Sequence, residues 1–585
     1  MFDKIAYCYF NGNYEKALSL SENFLQDNAK FALKYAMLSS FKLSLFERSL
    51  YYAKELFALD PTSFNALMLA SNYTKNQMFN EALDLLQQSL AKDDDLRDEI
   101  SLELAFLYKS TNKLEEAEST FKDLIQRDLY NLDLWKHYVE VYFMHDFQKA
   151  LLAHEELCSF IYSMIEDLKK GLLTKQVTTP VQSNLQDRLS NSTKENLDIV
   201  EIQDFLNTKI LPQKAYLLFK LLKIPESLEL FQSLSQTNQN HAQFWQNYAK
   251  VLEFSGNYQG AYDAYQNALN LHRHATYQFD LAYLLMRMGV SENFEEGKKL
   301  YESRLFYAHN ETFSTFHYNE SIKAFNNSGV DAFRDKEILV FCEQGFGDTI
   351  MYCRCLEKLC KIASKVLFAP QSAMYEMFKN QVELLNKKNA FKNLKVLQDF
   401  PTSFDYALPI CSLPLLIDIK FDEIPKLKTP IIPLKKPQNK KKKIGIYYFT
   451  PNAVNSDVSR NFEFEFLFSA LEGLDCKLVS FQMGINENLP KSVEDRAKKI
   501  ENWDDTLKNL ADIDCMISID SAITHLTLAL DIPTIVLLHP RFDWRWGKFE
   551  DPKSYFWPKA KCFILKEDTK KDLKPLVEKT LGIAD

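Results

Sequence analysis

A short pattern returns about every 33 residues along the first part of the chain and constrains its fold more than any other feature. Each copy has an aromatic residue or leucine, then two polar residues, then a small residue. The first five copies begin at Tyr14, Phe46, Phe79, Leu114 and Phe147, with spacings of 32, 33, 35 and 33 residues. This period predicts stacked pairs of helices, because a single pair cannot bury its own apolar face.

A later copy is more complete, and it carries a family resemblance. Its residues are Trp245, Tyr248, Ala249, Leu252, Tyr258, Ala261, Tyr265 and Ala268. These offsets resemble the tetratricopeptide repeat (TPR), in which small residues let two antiparallel helices approach and aromatic residues fill the groove beside them. A degenerate copy, Phe294 to Gly297 with Tyr301, closes the predicted array. The resemblance implies a helical solenoid whose groove binds a protein or peptide.

Composition agrees with a helical protein that has no nucleic-acid partner. The 585 residues contain only 14 glycines but 44 phenylalanines and 28 tyrosines, and helices need no glycine. The net charge of -9 gives no reason to expect nucleic-acid binding. Between 175 and 198, half of the residues are Ser, Thr, Asn or Gln, which predicts a solvated loop.

Cysteine usage and hydropathy predict a cytoplasmic protein. The ten cysteines include no CxxC pair, so we expect reduced thiols. Cys353, Cys355 and Cys360 form the one local cluster, which we interpret as packing and not as a metal site. The N-terminal segment is charged and lacks the apolar stretch of a signal peptide, and no stretch is apolar enough for a membrane helix.

After residue 335 the pattern changes from helical repeats to strands alternating with helices. Short apolar runs rich in strand formers predict buried parallel strands. A first set covers 338–342, 366–369, 394–397 and 406–410, and a second set covers 444–449, 477–481, 515–520, 534–538 and 562–565. A lysine-rich segment, 433–443, separates the sets and is typical of a solvated linker. Two βαβ-type halves predict two parallel-sheet domains that face a cleft.

Two turns after strands are the candidate functional elements, because ligands of parallel sheets bind beyond the carboxyl ends of strands. Gly345 and Gly347 lie in the first turn, where glycine permits positive φ and close approach of the backbone to a ligand. Asp348 follows them at the start of a predicted helix. It could cap that helix or take part in chemistry.

The second turn runs from Ser518 to His525 at the end of an apolar strand. A helix start offers backbone N–H groups and a positive dipole, which suit a pyrophosphate. Ser521 and Thr524 could add hydroxyl donors. His525 could reach the same anion, but this turn taken alone favours a packed core histidine.

Three segments together carry a second resemblance. They are EQGFGDT after the first strand, ISIDSAITHLTLALDIPTIVLL, and the following HPRFDWRWGKFEDPKSYFWPKAKCFIL. The combination resembles bacterial TPR-linked glycosyltransferases of the heptosyltransferase-like superfamily, with a GT-B fold of two Rossmann-like domains. The resemblance implies an inverting glycosyltransferase that uses a nucleotide-sugar as substrate, with no metal and no other cofactor.

The resemblance assigns roles to residues where the motifs match. Asp348 corresponds to the proposed general base for the acceptor hydroxyl, and Glu343 is the next candidate. Arg460, in SDVSRNFEF, resembles a basic position that neutralises donor phosphate. Half of the six tryptophans fall between 544 and 557, which favours a site over plain packing. The predicted donor-binding residues are Arg460, Asp520, Ser521, Thr524, His525, Asp543, Trp544, Arg545 and Trp546.

These observations predict an α plus α/β protein with a TPR solenoid followed by a GT-B pair. The predicted segments are TPR repeats at 1–158, a helical segment with a polar loop at 159–212, TPR repeats at 213–308, a connector at 309–335, the acceptor-side Rossmann-like domain at 336–432, the linker at 433–443 and the donor-side domain at 444–585.

We hypothesise that the array recruits a protein acceptor, for which a flagellin-like surface protein is one possibility. The alternative is a noncatalytic TPR scaffold that carries a degenerate transferase domain. A chaperone or secretion-assembly protein would leave the two α/β halves unexplained.

Overall fold

The computed structural model describes residues 2–26, 29–91, 96–170, 199–306, 313–387, 391–433, 441–450, 460–484 and 489–583. The predicted polar loop at 175–198 and most of the lysine-rich linker lie outside these ranges. The chain divides into two compact units, residues 1–239 and residues 240–585. This division falls inside the repeat block predicted at 213–308.

The first unit is built from helices that pack in pairs. They are α1 (Phe2–Phe10), α2 (Tyr14–Asn23), α3 (Ala29–Lys42), α4 (Phe46–Leu59), α5 (Ser63–Lys75), α6 (Phe79–Leu90), α7 (Arg97–Ser110), α8 (Leu114–Arg127), α9 (Leu132–Val139), α10 (Phe147–Lys169), α11 (Ile199–Phe205), α12 (Leu211–Lys220) and α13 (Ile224–Leu234). A π-helical segment, Leu206–Ile210, joins α11 to α12. Several second helices, such as α2, α4 and α6, also contact the first helix of the next pair.

The repeated sequence pattern marks the start of the second helix in each pair. Helices α2, α4, α6, α8 and α10 all begin at the aromatic residue or leucine of the pattern. The small residue three positions later is fully buried in every copy, as in Ala17, Ser49 and Ala82. Ser49 and Ser227 also donate hydrogen bonds to carbonyl oxygens of the preceding helix, at 3.0 and 2.7 Å. The pattern therefore encodes both the helix start and the close approach of the two helices.

The turn inside a pair repeatedly uses the left-handed backbone region, two residues before the second helix begins. The residues there have φ near +60° to +80°, and only some are glycine. They are Gly12, Ser44, Gln77, Asn112 and Leu222 in the first unit and Gly256 in the second. A side chain in this region costs roughly 1–2 kcal/mol, which glycine avoids.

The second unit begins with two more helical pairs. They are α14 (Ala242–Phe254), α15 (Tyr258–Leu271), α16 (Ala275–Met288) and α17 (Ser291–Leu300). A 3₁₀ segment, Tyr301–Phe306, and α18 (Phe313–Ser328) lead to the first sheet.

The first sheet is parallel, with the order β3-β2-β1-β4. Its strands are β1 (Glu337–Phe341), β2 (Lys365–Ala369), β3 (Leu394–Val396) and β4 (Tyr406–Pro409). The α-helices described between and after them are α19 (Phe346–Tyr352), α20 (Leu356–Leu359), α21 (Tyr375–Asn386) and α22 (Leu413–Leu416). In the register, Ile338 lies opposite Val366 on one side and Tyr406 on the other. All four strands were predicted within a residue or two.

The second sheet is also parallel, with the order β10-β9-β8-β5-β6-β7. Its strands are β5 (Lys443–Tyr447), β6 (Lys477–Ser480), β7 (Glu494–Asp495), β8 (Cys515–Ile519), β9 (Thr534–Leu538) and β10 (Lys561–Ile564), and its α-helices are α23 (Phe464–Ala470), α24 (Trp503–Asn509), α25 (Ala522–Ala529) and α26 (Lys570–Leu581). Counted from β5, the order is 3-2-1-4-5-6, that of a doubly wound nucleotide-binding sheet. The sequence did not predict β7, because two residues leave no apolar run.

One hydrophobic core joins the helical pairs of the second unit to both sheets. It contains Met286 and Phe294 from the helices, Val340 from the first sheet, and Val536 and Trp544 from the region of the second. Cys353 and Cys355 are buried in the same core, in agreement with the packing interpretation. Among the described residues no helix is long and apolar enough to cross a bilayer.

The left-handed turns can be tested by substitution. We expect Gln77→Gly to raise the free energy of unfolding by about 0.5–1 kcal/mol, because glycine relieves the strain at φ 61°. The matched control is Gln88→Gly, at an exposed helical position in the last turn of α6, which should lower stability by up to about 1 kcal/mol. Urea denaturation measures the free energy of unfolding of both variants. A change of the same sign in both would contradict the role given to the left-handed turn.

Candidate functional site

The carboxyl ends of strands from both sheets of the second unit open into one cleft of about 970 Å³. Residues Gln344 to Asp348, which follow β1, form one wall. The opposite wall is formed by Tyr447 at the end of β5 and by residues that follow β5 and β8, including Arg460 and Asp520. In each sheet β1 or β5 is the strand at which the order reverses, so the cleft lies at both topological switch points.

Helices α19 and α25 approach each other closely across this cleft. A Cβ atom on Gly347 would lie 2.9 Å from His525 Cδ2, a distance that side chains essentially never show. Gly345 has φ of -65°, and Gly347 does not lie in the left-handed region either. The expectation of positive φ was therefore wrong. Gly347 instead allows a close approach between the two walls.

An ion-pair network joins the walls. The Arg545 guanidinium contacts the carboxylates of Asp348, from the first wall, and Asp543, the latter at 2.7 Å. Burial disfavours its charge, but Asp348 and Asp543 hold the pKa of Arg545 well above its usual range. Burial would raise the pKa of Asp543, yet Arg545 lowers it below the ordinary value. Asp348 lies in the first turn of α19 and does not cap it, because Gly345 occupies the N-cap position.

A second pair lies beside the first turn of α25. Arg460 Nη1 donates to the backbone oxygen and the carboxylate of Asp520, at 3.2 and 3.3 Å. Burial raises the pKa of Asp520, and Arg460 partly offsets that effect. Arg460 keeps 41% of its side chain exposed.

His525 is a neutral side chain in a fixed orientation. Trp557 Nε1 donates to His525 Nδ1 at 2.9 Å, which leaves the proton of the neutral ring on Nε2, 3.8 Å from Asp520 Oδ1. The ring stacks on Trp546 at 5.4 Å. Burial first, and then the charge of Arg545, lower its pKa to about 3.

The hydroxyl groups of the second turn are used within the protein. Thr524 is fully buried, and its hydroxyl contacts the Ile519 carbonyl at 2.5 Å and Ser518 Oγ at 2.8 Å. Ser521 is half-buried and lines the cleft, and its hydroxyl also donates to Ile519. Thr524 is therefore a poor donor for a ligand, which corrects the expectation from sequence.

The structure separates the remaining predicted residues. Asp543 and Arg545 line the cleft, but Trp544 and Trp546 have no exposed surface and belong to the core, contrary to expectation. The high density of tryptophans between 544 and 557 therefore reflects core packing beside the cleft. Glu343 does not line the cleft, because Arg304 pairs with it at 2.8 Å.

Sequence reasoning missed several residues of the cleft wall. Tyr283 reaches it from α16, and its spacing in an apolar helix gave no sign of this. Phe346 and Trp503 form an edge-to-face pair with centroids 5.6 Å apart. Their aromatic character was visible, but only the fold brings the two segments together.

Comparison with known proteins supports the helical repeats. A tetratricopeptide repeat model matches residues 73–136. A TPR protein from Parabacteroides merdae is 11% identical, with a TM-score of 0.32, over 52% of this chain and 96% of that chain. The C-terminal part of a TPR protein from Cytophaga hutchinsonii is 8% identical, with a TM-score of 0.29, over 53% and 97%. A thermophilic TPR protein from Thermus thermophilus is 20% identical, with a TM-score of 0.22, over 26% and 87%.

No curated protein matches the sequence. The match to the family model confirms the expected tetratricopeptide repeats in the N-terminal region. The structural likenesses carry no argument about the cleft, because their TM-scores are below 0.5.

The buried His525 gives a pH-dependent prediction. The unfolded chain binds a proton near pH 6.5, whereas folded His525 does so near pH 3, so stability falls as the pH drops between these values. We expect His525→Gln to reduce this fall by about 1 kcal/mol per pH unit between pH 6 and 4. Urea denaturation across this range measures the slopes, and parallel profiles for the variant and the wild type would contradict the assignment.

Proposed function

We propose that the second unit is an inverting glycosyltransferase that binds a nucleotide-sugar in the cleft. The observation that carries the proposal is the meeting of two parallel-sheet switch points in one cleft that also holds Arg460, Arg545 and the first turn of α25. Such a cleft offers positive charge and helix N–H groups to a diphosphate. The resemblance to heptosyltransferase-like enzymes supports the same function.

The diphosphate of the donor would lie between Arg460 and the start of α25. An arginine fork suits bidentate contact with phosphate oxygens, and the exposed part of Arg460 is available for it. Asp520 orients Arg460 through its carboxylate and its backbone oxygen. Neutral His525 adds no charge of its own, and its Nε2 lies 3.8 Å from Asp520 Oδ1, beyond hydrogen-bond distance.

Asp348 would be the general base. In the reaction an acceptor oxygen forms a bond to the anomeric carbon, the bond from that carbon to the diphosphate oxygen breaks, and the acceptor proton passes to Asp348. In the structure Asp348 is paired with the Arg545 guanidinium. A shift of Arg545 toward the departing diphosphate would release the base and offset the developing negative charge in the same step.

The TPR repeats of the first unit would bind the acceptor protein or another protein partner. Helical repeats of this kind present extended concave binding surfaces. A cytoplasmic location and a surface-protein acceptor remain parts of the same proposal.

A second candidate is a noncatalytic TPR scaffold with a degenerate transferase unit. One observation favours it: both cleft arginines already have carboxylate partners, Arg460 with Asp520 and Arg545 with Asp348 and Asp543. In that case the cleft would be structural and the repeats would carry the function.

Binding of nucleotide-sugars tests the first candidate. A thermal-shift screen with ADP-, GDP-, UDP- and CMP-sugars should show one nucleotide class that stabilises the chain by roughly 2.7 kcal/mol at 100 times its Kd. Arg460→Met should abolish that shift, because it removes the phosphate partner. The control Arg334→Met, which removes an exposed pair with Asp331, should keep it.

The base assignment is tested in the same series. Asp348→Asn should retain the shift and lose sugar transfer to the acceptor. A wild-type chain that binds no nucleotide-sugar, or that binds one without any transfer, would favour the scaffold.

A further inference from the structure

A buried arginine of the last helical pairs holds the loop that carries Arg545. Arg287, in α16, donates from Nη1 to the Gly547 carbonyl at 2.8 Å and from Nη2 to the Phe542 carbonyl at 3.0 Å. Its third contact, from Nε, is to Glu253 Oε1 in α14 at 2.6 Å. One guanidinium therefore contacts both ends of the segment 542–547.

The segment between these two carbonyls contains the charged residues of the cleft wall. Asp543 accepts from the Arg545 backbone N–H at 3.1 Å and pairs with its guanidinium, and Arg545 extends to Asp348. Gly547 closes the segment with φ of 88°, where a Cβ atom would lie 2.5 Å from the Lys553 carbonyl. Because both ends are fixed, the direction of Arg545 depends on where Arg287 lies.

Further contacts from the same helices hold the residues that follow. The Arg287 guanidinium stacks over the Phe549 ring at 3.9 Å. Tyr258, at the start of α15, donates to Glu550 at 2.5 Å and accepts from the Phe549 N–H at 3.3 Å. Tyr283 packs against Trp544 and lines the cleft itself.

The ion pair of Arg287 and Glu253 is costly to bury, so its role is better explained by the contacts that it directs than by stability. The Arg287 and Glu253 side chains are 5% and 10% exposed. A buried pair is weak evidence of net stability, because desolvation offsets much of the attraction. Its directed donors, however, fix the separation of two backbone carbonyls, which an apolar side chain could not do.

We propose that Glu253 and Arg287 are positioning residues for the cleft, and that the helical pairs 242–300 form part of the functional unit. Glu253 orients Arg287, Arg287 fixes the segment 542–547, and that segment places Arg545 against Asp348. The division of the chain at residues 239 and 240 groups these pairs with the sheets. The expected effect of these residues on nucleotide affinity rests on the proposed function. The positioning of residues 542–547 by Arg287 does not.

Amide hydrogen exchange on the full chain tests the positioning directly. Arg287→Met should speed exchange at least tenfold in residues 542–553, with little change in the sheets. In Arg287→Met the buried Glu253 carboxylate loses its partner, which could destabilise the whole unit. The double variant Glu253→Gln/Arg287→Met removes that charge as well, and it should show the same local increase in exchange. The control Arg496→Met breaks a comparable pair with Glu494 and Asp512 in the same unit and should leave 542–553 unchanged.

Nucleotide affinity supplies the second readout. For whichever of ADP, GDP, UDP or CMP binds the wild type most tightly, the double variant should raise the Kd about tenfold or more, because the cationic wall is displaced. Arg496→Met should bind as the wild type does. The proposal would be overturned if residues 542–553 of the double variant exchanged their amide hydrogens at the wild-type rate. If none of the four binds the wild type, the proposed function fails, while the exchange result still decides the positioning.

Discussion

The organisation of the cleft depends on the ion pairs of Arg545. Its buried guanidinium contacts Asp348, which follows β1 of the first sheet, and Asp543, which follows β9 of the second, so it joins the two walls of the cleft. The close contact of Gly347 with His525 brings those walls together, and the Trp557 hydrogen bond keeps the histidine ring in register. Removing any one of these contacts would leave a buried charge or a gap between the sheets.

The helical pairs have two roles that their common sequence pattern does not distinguish. In the first unit the aromatic and small residues serve helix packing, and residues 73–136 of that unit match the TPR model. In the second unit the same pattern continues, but Tyr258, Tyr283 and Arg287 face a loop of the sheet domain. One repeat pattern therefore serves helix packing in the first unit and support of the cleft loop in the second.

Local features of the fold could be predicted from the sequence, because periodicity and apolar runs determine them. The starts of the second helices and all strands except β7 follow from these patterns. The division at residues 239 and 240 could not be predicted, since the repeat pattern runs through it. In the sequence Arg287 resembles an ordinary polar residue of a surface helix, and only the fold reveals its two carbonyl partners, more than 250 residues away in the chain.

The candidate site was predicted in part. Asp348, Arg460, Asp520, Asp543 and Arg545 come together in the cleft. Trp544 and Trp546 do not line it, because a cluster of tryptophans looks the same in sequence whether it forms a wall or a core. Glu343 does not line the cleft because it pairs with Arg304, which lies in the 3₁₀ segment Tyr301–Phe306.

The central claim is that the cleft binds the diphosphate of a nucleotide-sugar, and a crystal structure of the chain with the bound nucleotide tests it most directly. The account predicts phosphate oxygens within hydrogen-bond distance of the Arg460 guanidinium and of backbone N–H groups in the first turn of α25. A nucleotide bound away from Arg460 and α25, on the helical repeats or elsewhere, would contradict it.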